Sequence, residues 1–125
     1  MSYRIFWEIP ETVLCLALGE DVSTEEFVEI NDQINSFMDA RTATRSVILK
    51  IDALNTERIP QSLSTMKNSQ SYANRKDLKS ILVIGPNKYV RLVMMLTFNL
   101  SRPTLHFAMN HEHANRFVES VITEH

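Results

Sequence analysis

Apolar and polar positions alternate along the chain in short, regular segments. Tyr3, Ile5, Trp7 and Ile9 fall on one side of an extended stretch, with Arg4 and Glu8 on the other. This predicts a half-exposed strand over Tyr3–Ile9. Pro10-Glu11 supplies a tight turn, after which Thr12–Leu18 is apolar on both faces. A hairpin follows, its first strand at or near a sheet edge and its second strand buried. Gly19-Glu20-Asp21 breaks that strand. Ser23, with Glu26 three residues on, is a capping box that opens a helix. Phe27, Ile30, Ile34, Phe37 and Met38 recur at helical spacing as its buried stripe, and Glu25, Glu29 and Asp32 lie away from it.

Continuous apolar runs predict three more strands, over Ser46–Ile51, Ser80–Ile84 and Thr104–Met109. Three more helices are expected between and after them. One spans about Gln61–Asn74; it is hydroxyl-rich, its stripe of Leu63 and Met66, extended by Tyr72 and Ala73, is thin, and it should be the most exposed and mobile helix. One spans about Asn87–Leu100. The last is capped by Asn110 and runs to about Thr123, with Ala114, Phe117, Val118, Val121 and Ile122 inward. The order ββαβαβαβα predicts one α/β domain over residues 1–125. It holds a mostly parallel five-stranded sheet, an antiparallel N-terminal hairpin strand and four helices.

The helix over 87–100 is apolar most of the way round. Tyr89, Leu92, Val93, Leu96 and Leu100 form one stripe, enough to cover a sheet. Val90, Met94 and Phe98 form a second, turned by roughly a right angle, and Met95 widens it. The expectation is that Val90, Met94, Met95 and Phe98 form an interface, most simply between two copies of the chain. Packing of that second stripe inside the chain is the alternative.

Composition narrows the function classes. Two glycines, Gly19 and Gly85, are too few for a phosphate-binding loop. Cys15 is the one cysteine and lies in an apolar run, so it reads as a small buried hydrophobe and allows no intramolecular disulfide. No apolar run approaches the roughly 20 residues that span a bilayer, and no signal peptide is visible, so a cytoplasmic protein is expected. Residues 1–40 hold nine acids against Arg4 alone, and residues 41–102 hold eleven bases against three acids. Folding either intermixes these segments or leaves an acidic and a basic face.

The chemistry-bearing residues do not assemble into a catalytic set. His111 and His113 are two apart, so on a helix they diverge and do not share a metal. No Gly-x-Ser-x-Gly elbow is present. The carboxylate pairs Glu20-Asp21 and Glu25-Glu26 lie in a solvated acidic stretch, where their pKa values are not driven apart. The net charge of −2 and the scarcity of aromatics among the cations argue against nucleic acid. No metal and no cofactor are expected.

The element order, with Ser46-Val47-Ile48-Leu49-Lys50-Ile51-Asp52-Ala53-Leu54 as a buried strand running into an acidic residue, resembles the STAS fold. That family includes bacterial anti-sigma-factor antagonists and domains of sulfate transporters. Its members place Asp-Ser-Ser/Thr-Gly at the start of the following helix, where a partner kinase phosphorylates the hydroxyl. Here the region reads Asn55-Thr56-Glu57-Arg58-Ile59-Pro60-Gln61-Ser62-Leu63, with no Asp-Ser pair and no glycine. Ser62 and Ser64 are the hydroxyls on which a phosphate near a helix start is favoured. The resemblance implies a fold whose loops after the parallel strands meet a protein partner or a small ligand. The leading expectation is a non-enzymatic regulatory or protein-interaction module. The alternative is a carrier or sensor of a small apolar ligand held between the second and third helices. The third is an enzyme using the loop residues Asp52, Asn55, Asn87 and His111.

Overall fold

A computed structural model describes residues 3–42, 45–60, 70–99 and 101–123. Five strands form one mixed sheet in chain order: β1 (Tyr3–Ile9), β2 (Val13–Leu18), β3 (Val47–Asp52), β4 (Leu78–Ile84) and β5 (Thr104–Ala108). β1 is antiparallel to β2, and β2 through β5 are parallel. The hairpin turns where Thr12 N–H donates to the Ile9 carbonyl at 3.0 Å, with Glu11 in the left-handed region at φ 55°. A β-bulge interrupts β1 between Trp7 and Ile9.

Three α-helices lie in the described residues: α1 (Thr24–Asp39), α2 (Lys88–Thr97) and α3 (His111–Thr123). Four were expected over the whole chain. Of the helix expected over 61–74, the stretch 61–69 lies outside the described residues, and Ser71–Asn74 forms a single 3-10 turn. That turn is pinned by α1 rather than by its own propensity. Tyr72 N–H and the Ser71 hydroxyl both donate to Asn31 Oδ1 at 3.2 Å, and Arg75 donates to Asn35 Oδ1 at 3.2 Å. Tyr72 is buried, which pushes its phenol pKa well up.

Strands added in one direction by right-handed crossovers place their connections on one face of a sheet. The core follows that rule. Tyr3, Leu14, Leu16, Leu49, Ile51, Ile81 and Val83 pack beneath α1, the 3-10 turn and α2. α3 covers the opposite face, over Val13, Ile48, Leu82, Ile84 and Ala108. The α1 capping box forms as expected: Glu26 N–H donates to Ser23 Oγ at 3.2 Å, and Ser23 N–H to Glu26 Oε1 at 3.1 Å. Phe27, Ile30, Ile34 and Met38 are its buried residues, each worth about 1.5–3 kcal/mol of transfer free energy. Asn110 likewise caps α3, its Oδ1 accepting from His113 N–H at 2.9 Å.

Ion pairs tie the acidic N-terminal segment to the basic middle one. Glu8 meets Lys50, Asp39 meets Arg75, and Asp21 lies 4.0 Å from Arg58. Folding therefore intermixes these charges.

Candidate functional site

The parallel strands end together, so their following loops form one rim. Gly85 lets two of those loops approach. At its φ of 150° a Cβ would lie 2.8 Å from the Ala53 carbonyl oxygen, so any side chain would strain the loop and collide with backbone. Beside this contact is an open cleft of about 510 Å³ lined by Glu20, Leu54, Asn55, Thr56, Glu57, Pro86 and Asn87. Its floor is held by the Glu20 carbonyl, which accepts from Glu57 N–H at 2.8 Å and Arg58 N–H at 3.0 Å. Asn87 Oδ1 is occupied as the α2 cap, accepting from Tyr89 and Val90 N–H at 2.9 and 3.1 Å. The helix terminus is thus already satisfied by its own cap.

The four loop residues expected together divide into two pairs. Asn55 and Asn87 share the cleft. Asp52 and His111 form a separate pair, with Nε2 3.1 Å from Oδ2, while Asp52 Oδ1 accepts from Leu54 N–H at 3.2 Å. That second pair ties the first turn of α3 to the end of β3. Among the described residues, no group of three or more His, Cys, Asp and Glu side chains could hold a metal ion. Ser62 and Ser64 lie outside the described residues.

The expected interface stripe is corrected. Val90, Met94 and Phe98 are only 2%, 1% and 4% exposed and belong to the main core, where Phe98 packs against Tyr72 with ring centroids 6.2 Å apart. Met95, by contrast, is 47% exposed. Of the stripe assigned to the sheet, Val93 is buried, but Leu92 is 49% exposed, and Tyr89 and Leu96 are exposed with it. Thr97 explains the reversal. It lies on the buried face because its hydroxyl donates to the Val93 carbonyl at 2.7 Å, which removes the cost of burying it. Leu100 lies outside the described residues.

The outward face of α2 runs into a groove at the β5 edge. Lys88, Arg91, Leu92, Met95 and Phe107 line about 320 Å³ of mostly apolar space. The Arg91 guanidinium lies 4.9 Å from the Phe107 ring centroid and reaches Met109 Sδ at 3.8 Å. Met109 is itself exposed, extending the apolar surface.

An ion pair with one buried partner escaped sequence reading. Lys50, in the middle of β3, is 1% exposed, yet its Nζ lies 2.8 Å from both carboxylate oxygens of Glu8. Glu8 keeps the solvent-exposed position that alternation assigns it, its side chain 38% exposed; what alternation does not show is that Lys50 is buried against it. Nearby, burial pushes the Cys15 thiol up to about 11, which makes it a poor nucleophile.

No family model matches the sequence, and no curated protein matches it. Among solved structures the chain is similar to an uncharacterised protein of the DUF3478 family from Shewanella loihica PV-4, described as having a SpoIIAA-like fold. The TM-score is 0.66 at 12% identity, over 93% of this chain and 91% of that one. The fold is SpoIIAA-like. This agrees with the STAS resemblance read from element order, and at such identity the likeness concerns the fold alone. Among the described residues of this SpoIIAA-like domain, no helix is long and apolar enough to cross a membrane.

Proposed function

We propose that the chain is a non-enzymatic protein-interaction module of regulatory type that docks through the outward face of α2. The observation that carries this reading is the exposure of Leu92, Met95 and Leu96 on one helix face, beside the apolar groove at β5. Contiguous exposed apolar side chains mark docking surfaces, and methionine adapts to a partner's contour. The test is the size of the tagged chain in extracts of its host. The wild type is expected in a complex well above its own 14.4 kDa. The double variant Leu92→Glu, Met95→Glu should run at monomer mass with an unchanged circular dichroism spectrum. A wild type that runs as a free monomer would defeat the reading. An apolar small molecule is the competing occupant of the groove; native mass spectrometry showing a bound mass that the double variant loses would favour it instead.

A further inference from the structure

Building on the docking reading of α2, we infer that the partner at this surface is a second copy of the chain. The two copies pair β5 to β5 in antiparallel fashion, which sets their α2 helices side by side. The sheet has two outer edges, and they differ. β1 carries the devices that protect an edge from pairing: Arg4 and Glu8, the bulge before Ile9, and Pro10 directly after the strand. β5 has none of these between its ends, although Pro103 lies directly before it as Pro10 lies directly after β1. Thr104-Leu105-His106-Phe107-Ala108 contains no Asp, Glu, Lys, Arg or Pro and pairs with β4 without a register shift. Among the described residues no strand pairs with the outer side of β5, which leaves that row of backbone groups open. The apolar surface of α2 lies beside that open edge, not beside the protected one.

The sequence of the edge is self-complementary under a two-fold axis through His106. Leu105 then lies opposite Phe107 of the second copy, and Phe107 opposite its Leu105. Both residues project to the face that α2 covers, where they border the main core. On that same face, Leu92 and Met95 of one α2 would meet those of the other. Charge fits this direction of pairing. Residues 78–111 contain no acid; their bases are Lys79, Lys88, Arg91 and Arg102. Arg102 lies just before β5, and Glu112, exposed and paired with Arg116 at 2.8 Å, lies in the first turn of α3 that follows it. Antiparallel pairing brings each Arg102 toward the other chain's Glu112, whereas parallel pairing sets like beside like. It also sends Lys88 and Arg91, in the first half of α2, toward the uncharged second half of the opposing helix, keeping like charges apart.

The experiment combines sedimentation with crosslinking on the full chain. The wild type should show a concentration-dependent monomer–dimer equilibrium between about 1 and 500 µM, and Met95→Glu should weaken it by roughly tenfold or more. Met95 is exposed in the single chain, so this variant should keep the wild-type melting temperature. His106→Cys places one thiol at the two-fold axis, within the Cα separation that a disulfide spans. Mild oxidation should link it into a covalent dimer. Glu25→Cys on α1 should not link, and buried Cys15 leaves the wild type unlinked. A wild type that stays monomeric across the range overturns self-pairing. So does a dimer that Met95→Glu leaves intact and His106→Cys fails to link. If the purified chain is monomeric while the α2 double variant still loses its complex in extracts, the docking reading stands and only the second copy is wrong. If the extract shows no complex either, the docking reading falls too.

Discussion

Lys50 shows what one side chain can demand of its surroundings. An ammonium that is 1% exposed must keep a counter-charge, and Glu8 holds it by two contacts of 2.8 Å. Glu8→Ala should therefore cost about 2–4 kcal/mol, since it leaves a buried cation unpaired, with the partial exposure of Glu8 keeping the loss below that of a fully enclosed pair. Lys50→Met removes the charge along with its need and should cost less; urea denaturation of the two variants checks the order. Asp77 makes the complementary case. Hydrogen bonds from Arg75, and then from Arg41, hold its carboxyl below the usual carboxylate range. With the folded pKa below the unfolded value, ionised Asp77 stabilises the fold at pH above about 4. That contribution is lost as the pH falls through the folded pKa. Asp77→Asn should cost about 1–2 kcal/mol at pH 7, and its deficit relative to wild type should shrink toward pH 2.

Among the elements, α2 separates what pattern can decide from what it cannot. Two apolar stripes a right angle apart leave the choice of buried face to tertiary context. Leucine-rich Leu92-Leu96 looked the better core, yet Val90, Val93, Met94 and Thr97 are the buried set. The decisive fact, a threonine hydroxyl satisfied by its own helix, is a hydrogen bond and not a periodicity. Met94→Ala should thus cost about 2–4 kcal/mol and Met95→Ala under about 0.5, a contrast that thermal melts of the two single variants read directly. Elsewhere the pattern was sufficient. The hairpin was legible because Pro10-Glu11 divides an alternating run from a continuous one, and α1 because Ser23 and Glu26 mark its start. β3 and β4 were legible as unbroken apolar runs, with ends displaced by a residue or two. The 3-10 turn was not legible, because its geometry comes from Asn31 and Asn35 some forty residues earlier. The candidate site was legible only in part: the loops were placed at the carboxyl ends of the strands, but the pairing of Asp52 with His111, apart from Asn55 and Asn87, needs the strand order.

At the scale of the whole molecule, the strands stand in the sheet in the order in which they occur in the chain. No later strand has to insert between two earlier ones. Each pairs with a neighbour already made, so a ribosome delivers this protein in the sequence in which it can be assembled. A nascent chain that has released Ile84 already owns four of its five strands and the whole of α1. Pulse proteolysis of stalled chains of increasing length should show α1 and the β1–β2 hairpin becoming resistant before residue 104 leaves the exit tunnel. The last strand to emerge is also the one with the unguarded edge. Growth of the described sheet therefore ends on a strand that is still able to accept another.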